Sequence, residues 1–399
     1  MTQTRPIIRL RPNVKPQKIR HGFPWAYENE IVTDRRSKAI TPGAIAQLQD
    51  ANREPMATVA VNPNSRIFAR VLDANPDANI DGAWLRAKLV TALAHRARLY
   101  DAPFYRLIHA EADGMPGVIM DRFGDTVVFQ PNAAWAETLS EDIADALIEL
   151  DGIKNVIKNA SGRSRALEGL SDASETLRGT PPAQIEVPMN GATYIADLEG
   201  GQKTGLYFDQ RPNHAFAAKL AGEGGDVLDV FSHVGGFSLA ALAQGAGSAL
   251  AVDGSQGALD LATQGASAMG VSAAFSTQKS DAFAALEALG EAGRQFDLVV
   301  CDPPAFAPSK KALEAGLRAY NRVARLATPL VKPGGYLVLC SCSHAAELEK
   351  FRAASIRGIG QSGARAQMVH TGLAGADHPT HPSLAESGYL KSLFFRILP

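Results

Sequence analysis

The stretch Asp226-Val-Leu-Asp-Val-Phe-Ser-His-Val-Gly-Gly-Phe-Ser238 constrains this chain more than any other: a short apolar strand runs into a glycine turn and then into the helix-forming residues 239–244. Val227, Leu228 and Val230 suit a strand buried on both faces of a parallel sheet. Gly235 and Gly236 let the backbone pass close to a ligand where a Cβ would collide. A second apolar strand at 249–252 ends in Asp253, 17 residues beyond Gly236. An acid at that spacing accepts hydrogen bonds from a ribose diol.

From residue 200 onward, strands are expected at 226–231, 248–252, 271–276, 296–301, 335–341, 366–370 and 390–397, with helices between them. That alternation is an α/β pattern: a parallel sheet with helices on both faces and ligands at the carboxyl ends of the strands. The first turn departs from G-x-G-x-x-G, because Phe231, Ser232 and His233 fill it and only Gly235 and Gly236 remain. Such a turn offers room rather than a nest for pyrophosphate. S-adenosylmethionine, which carries no phosphate, is the favoured cofactor.

At 399 residues the chain exceeds one ordinary core, so two or three domains are expected. The N-terminus lacks an apolar signal core, and no apolar run approaches the ~20 residues of a membrane span. A cytoplasmic location without membrane association is the expectation. The three cysteines, Cys301, Cys340 and Cys342, have no metal-ligand spacing to a histidine cluster; neither a disulfide framework nor a metal site is expected. Net charge is −1, but residues 1–27 carry Arg5, Arg9, Arg11, Lys15, Lys18 and Arg20 without one acid. This end is either a phosphate-facing surface or a solvated basic arm.

Residues 1–75 read as a small β domain, with strands at 7–10, 44–48, 56–61 and 67–72 separated by turns at Pro42-Gly43 and 62–65. Within it, Arg20-His-Gly-Phe-Pro-Trp-Ala-Tyr27 interleaves basic and aromatic residues, which suits stacking on bases or packing a core corner. Residues 76–199 form a linker helix at 81–99 and an α+β middle domain, with strands near 105–110, 117–121, 126–130 and 155–159 and a helix at 136–150. A hairpin of 184–189 and 192–198 follows, turning at Asn190-Gly191. Residues 200–399 are the catalytic unit.

The candidate chemistry follows the strands. After the fourth comes Asp302-Pro-Pro-Ala-Phe306, whose prolines fix the backbone beside the Asp302 carboxylate. The fifth leads into Ser341-Cys342-Ser343-His344. Adjacent tips share one cleft, which pairs Asp302 with Cys342. This pairing suits methyl transfer to C5 of a pyrimidine: a thiolate adds to C6, C5 takes the methyl group, and loss of the C5 proton expels the thiolate. A free thiol has a pKa of about 8.5 and needs activation, for which Lys203, His233 and His344 are candidates. Asp302 would hold the base edge. Cys340 and Cys301 read as core. Asp281 either accepts from the adenine amine or caps a helix, and Lys203 and Arg211, in the glycine-rich stretch 201–211, could pair with the cofactor carboxylate.

These motifs resemble the bacterial class I rRNA methyltransferases of the large-subunit (23S) cytosine-5 type. The resemblance covers nearly the whole chain. It rests on Arg20 to Trp25 with Gly43, Glu111 to Gly117 with Asp121 to Asp125, Gly201 to Arg211, Phe231 to Gly236, Asp302 to Phe306 and Ser341 to Ser343. It implies an α/β Rossmann-like methyltransferase domain, a parallel sheet with an antiparallel last strand, preceded by a small β-rich PUA domain and the α+β middle domain. It further implies S-adenosylmethionine as cofactor, held by Phe231, Ser232, Gly235, Gly236, Asp253, Asp281, Asp302, Lys203 and Arg211; Cys342 as nucleophile; and ribosomal RNA contacted by Lys18, Arg20, His21, Trp25 and Lys310. A homodimer is left open. Where many RNA cytosine-5 methyltransferases carry a second cysteine after the proline, this chain has Pro304-Ala305, so release must use another base. Two alternatives stand: methylation of an exocyclic or ring nitrogen, and a non-catalytic RNA-binding scaffold.

Overall fold

A computed structural model of the chain describes residues 5–198 and 205–399. The chain divides into two compact units, Met1–Pro182 with Asp377–Ala385, and Ala183–Ala376 with Glu386–Pro399.

The first unit holds two five-stranded sheets. One contains β1 (Ile7–Arg9), β2 (Trp25–Ala26), β3 (Ile45–Gln49), β4 (Pro55–Val61) and β5 (Ala69–Asp73), in the order β1-β3-β4-β5-β2. Alternate residues of β3 are buried, and Ala46 and Leu48 join Ile8, Val59, Val61 and Phe68 in its core. The turn residue Gly43 has φ +90°, and a Cβ there would meet Thr138 Oγ1 at 2.7 Å and the Ala134 carbonyl oxygen at 2.8 Å. Close approach, as well as the turn, excludes a side chain.

The other sheet has β6 (Phe104–His109), β7 (Val118–Phe123), β8 (Thr126–Pro131), β9 (Asn155–Lys158) and β10 (Glu175–Arg178) side by side. β10 was not expected, since its exposed, charged residues carry little strand signal. The helix expected at 136–150 is two, Ala134–Thr138 and Ser140–Ile148, because Leu139 leaves helical geometry and the Ser140 hydroxyl donates to the Ala136 and Glu137 carbonyls instead. The helix Gly82–Ala97 starts at its Asp81 cap and ends near Arg96, a fully buried arginine. Its guanidinium grips Asp113 through two bonds of 2.9 and 2.6 Å and also donates to the Asp377 carbonyl. Arg106 N donates in turn to Asp377 Oδ2, so this network fixes the late segment Asp377–Ala385 to the first unit.

In the second unit the hairpin β11 (Gln184–Met189) and β12 (Ala192–Asp197) turns at Asn190-Gly191, both at positive φ as a type I′ turn requires. Expected within the middle domain, the hairpin belongs to the second unit and packs on the helix Gln256–Ala268, where a Cβ on Gly265 would meet the Thr193 carbonyl oxygen at 2.8 Å. The main sheet contains β13 (Asp226–Val230), β14 (Ser248–Asp253), β15 (Phe275–Lys279), β16 (Phe296–Cys301), β17 (Val331–Ser341), β18 (Ala366–Gly372) and β19 (Lys391–Ile397), ordered β15-β14-β13-β16-β17-β19-β18. β19 is antiparallel to both neighbours, and β13 to β17 are parallel. β15 lies later than the expected 271–276: Ser272–Ala274 is a short 3₁₀ turn, and the half-exposed edge strand tolerates Ser276, Thr277 and Gln278. No helix of the described residues is long and apolar enough to cross a membrane.

The buried Arg96 ion pair generates a stability test. Asp113→Ala leaves the guanidinium without its carboxylate and should cost about 3–5 kcal/mol, read as a lower urea midpoint; an unchanged midpoint contradicts this account.

Candidate functional site

The turn after β13 is strained and braced. Phe231 (φ 63°) and His233 (φ 50°) are non-glycine residues in the left-handed region, followed by Gly235 at φ 80°. The brace consists of Ser232 N donating to the Val252 carbonyl at 3.1 Å and His233 N to Asp253 Oδ2 at 2.9 Å. Asp253 Oδ1 accepts from Ser255 N at 2.8 Å. Gly236 has a reason internal to the protein: a Cβ there would lie 2.7 Å from His214 Cε1 and Nε2. The buried His214 ring packs edge-on against Phe237, and burial pushes its pKa down to about 3.

Around this turn lie buried polar atoms with no hydrogen-bond partner: Asp229 Oδ1, Ser232 Oγ, Ser238 Oγ and His214 Nδ1. Asp229 Oδ2 accepts from Ser238 N at 2.9 Å, and burial pushes this carboxyl up to about 6. Orphaned buried groups mark a place where a polar ligand completes the bonding. This donor and acceptor set fits an amino-acid-bearing cofactor. The sequence signal for Asp229 is its place inside the apolar run Val227 to Val230, where an acid is costly to bury.

Two other expected cofactor residues have roles within the fold. Asp281 caps the helix Ala282–Glu291, its Oδ1 accepting from Phe283 N and Ala284 N, both at 3.0 Å. Arg211 begins the helix Arg211–Ala221; its carbonyl accepts from Asn190 Nδ2, and its guanidinium lies over the Phe208 ring. Lys203 falls outside the described residues.

The tips of β16 and β17, which lead into Asp302 and Cys342, are neighbours. Ala307 N, beyond the Pro303-Pro304 pair, donates to Ser343 Oγ at 2.9 Å, and the Tyr320 hydroxyl joins Ser341 Oγ and Ser343 Oγ at 2.9 and 2.8 Å. Asp302 accepts from Gln210 Nε2 at 2.9 Å, and Gln210 Oε1 accepts from Asn213 Nδ2 and Ser392 Oγ. Burial, reinforced by Asp209, pushes the Asp302 carboxyl up to about 7. Asp209 itself accepts from the Tyr389 hydroxyl at 2.6 Å. Thus the stretch 201–211 contributes Asp209 and Gln210, residues that the sequence reading passed over for its cations.

Of the cysteines, Cys301 and Cys340 are buried and Cys342 is part-exposed. Burial pushes the thiols of Cys301 and Cys340 far up, and Cys340 Sγ accepts from Ser392 Oγ at 3.2 Å. Both belong to the core. Of the groups considered for activating Cys342, the His233 ring packs 5.0 Å from Tyr207, and His344 is exposed. Lys391, not considered from sequence, is the cross-strand partner of Ser341 and donates from Nζ to the Ser343 carbonyl at 2.8 Å. Among the described residues no group of three or more His, Cys, Asp or Glu side chains could hold a metal.

In the first unit, Phe23, Trp25 and Tyr27 pack on one another with centroids 6.1–6.4 Å apart, and Trp25 Nε1 donates to Glu111. Lys18 lies 3.7 Å over the Phe23 ring and pairs with Glu30, while Arg20 pairs with Asp50. The aromatic segment therefore forms a packed corner with cations on its surface. His21 is exposed, as is Lys310, which opens a short turn in the second unit.

Residues 8–74 match a PUA-like domain, and residues 159–396 match a family described as S-adenosylmethionine-dependent methyltransferase. The cofactor is S-adenosylmethionine. A solved structure of a protein assigned as a methyltransferase, complexed with SAH, shares the fold with a TM-score of 0.81 at 18% identity, covering 99% of this chain and 100% of that one. The chain is 33% identical to "Ribosomal RNA large subunit methyltransferase I" of Alteromonas mediterranea, covering 96% of this chain and 97% of the relative. It is also 33% identical to "Ribosomal RNA large subunit methyltransferase" of Deinococcus radiodurans, covering 98% of each. A PUA-like domain, a class I methyltransferase sheet and this end-to-end similarity together make the chain a member of the ribosomal RNA large subunit methyltransferase family.

Proposed function

We propose that this protein methylates C5 of a cytosine in large-subunit (23S) ribosomal RNA through a covalent adduct between Cys342 and C6. The observation that carries the reading is the contrast among the cysteines: Cys301 and Cys340 are buried, whereas Cys342 is part-exposed at a strand tip beside that of Asp302. The relatives' names supply the RNA.

Bound S-adenosylmethionine supplies an electrophilic methyl group on a sulfonium. Asp253 is suited to the ribose hydroxyls, since each of its oxygens retains a lone pair after the backbone bonds described above. Phe231, Ser232, Gly235 and Gly236 would hold the cofactor together with Asp229, Arg211 and Asp281, and Lys203 would pair with its carboxylate. Cys342 attacks C6 as thiolate and makes C5 nucleophilic. Asp302, titrating near neutrality, either accepts from the cytosine amine or donates to N3 when protonated. Its rise follows from burial, so it is mainly protonated below pH ~7 and charged above. Lys18, Arg20, His21, Trp25 and Lys310 are the proposed RNA contacts.

Two outcomes check this reading. Asp253→Ala should weaken cofactor binding by about tenfold or more, the loss of a charge-assisted bond of about 1.5–3 kcal/mol; calorimetry giving unchanged affinity in a folded variant contradicts the assignment. Incubation with labelled S-adenosylmethionine and ribosomal RNA from cells lacking the gene should yield 5-methylcytidine, and Cys342→Ser should cut that yield about a thousandfold or more. Recovery of a nitrogen-methylated base contradicts cytosine-5 chemistry, and no incorporation at all favours the scaffold.

A further inference from the structure

We infer that Lys391 is the positioning residue that activates Cys342, its buried ammonium holding the nucleophile as thiolate. This rests on the cytosine-5 reading. The geometry is as follows. β17 and β19 pair antiparallel with Ser341 opposite Lys391, so the lysine stands beside the strand end from which Cys342 emerges. Its Nζ donates to the carbonyl of Ser343, the residue after the cysteine, at 2.8 Å. The ammonium is thus anchored to the backbone that carries the thiol. Lys391 is 5% exposed, and among the described residues no carboxylate pairs with it; burying an ammonium without such a partner is costly.

Two further titratable groups that interact with the thiol are phenols. Tyr320, on the helix Leu313–Ala327, and Tyr207, from the segment before the helix at Arg211, both interact with Cys342. Burial raises both phenols, Tyr207 to about 12, so both are neutral at pH 7. Asp209, Asp302 and Asp253 also act on Tyr207, each raising its pKa. His344 follows the cysteine closely but is exposed. Lys391 is a cation whose field reaches Cys342.

The pH window follows from sign. Burial pushes the Lys391 ammonium down to about 8, with Cys342 opposing that fall. Below pH ~8 the lysine is charged and favours the thiolate; above it the charge and its effect are lost. Activation is therefore present at neutral pH, where the reaction needs it.

The test reads the thiol without RNA. The full-length protein is alkylated with iodoacetamide across pH 5.5–10, and modification of Cys342 is followed by peptide mass mapping, with Cys342→Ser as blank. In the parent the rate midpoint should fall below the ordinary ~8.5 of a free thiol. Lys391→Gln, which keeps a donor for the Ser343 carbonyl but removes the charge, should raise the midpoint by about one unit and slow alkylation at pH 7 by about tenfold. Lys391→Arg should keep the parent midpoint, and cofactor affinity should be unchanged in both variants. A parent midpoint at or above 8.5 overturns the inference, as does an identical profile for Lys391→Gln, which would make Lys391 a loop anchor only. If Lys391→Gln fails to fold, the parent profile and Lys391→Arg decide by the same criteria. Because no RNA is present, this outcome is separate from the identity of the methylated base, which product mapping decides independently.

Discussion

Everything proposed for the second unit depends on parallel pairing among β13, β14, β16 and β17, which brings all their carboxyl ends to one edge of the sheet. A parallel sheet makes neighbours of residues far apart in sequence, and the loops beyond it must then be locked together. Here the lock is the bond from Ala307 N to Ser343 Oγ and the buried Tyr320 hydroxyl between two serines. Pro303 and Pro304 limit the other freedom of the first loop. The consequence is a fixed relation between the segments that carry Asp302 and Cys342.

Electrostatics give this edge a second character. Asp229 and Asp302 are carboxyls whose pKa values burial raises to about 6 and about 7. Burying anions is unfavourable unless cations or hydrogen bonds compensate. S-adenosylmethionine carries a sulfonium and an ammonium, cations that would offset the cost of burying these carboxyls. Lys391 is the opposite case, a cation kept mostly out of water next to the strand end that carries Cys342. Carboxyls near the turn after β13 and at the tip of β16 would suit a positively charged methyl donor, and a cation beside the end of β17 would suit a thiolate nucleophile.

Most of the sheet was legible because its signals are local. Strand β13, the Gly235-Gly236 turn and Asp253 are contiguous or evenly spaced, and the Asn190-Gly191 hairpin carries its turn chemistry in two residues. Edge elements were less legible: β10 and β15 are polar because solvent covers one side of them, which erases the hydrophobic signature. Long-range partnerships were invisible. Nothing in the sequence places Lys391 opposite Ser341 or Gln210 against Asp302, because each contact depends on how distant elements pair. The reason for Gly236 was likewise hidden, since the atoms excluding a side chain belong to His214.

The central claim is that Cys342 forms a bond to the base it methylates, and covalent trapping tests it most directly. RNA carrying 5-fluorocytosine at the target position should be methylated once and remain bound, because fluorine does not leave C5 as a proton does. The account predicts a denaturant-resistant protein–RNA complex with the parent protein, with Cys301→Ser and with Cys340→Ser, and none with Cys342→Ser. A complex that survives Cys342→Ser but disappears with Cys340→Ser or Cys301→Ser would contradict the account.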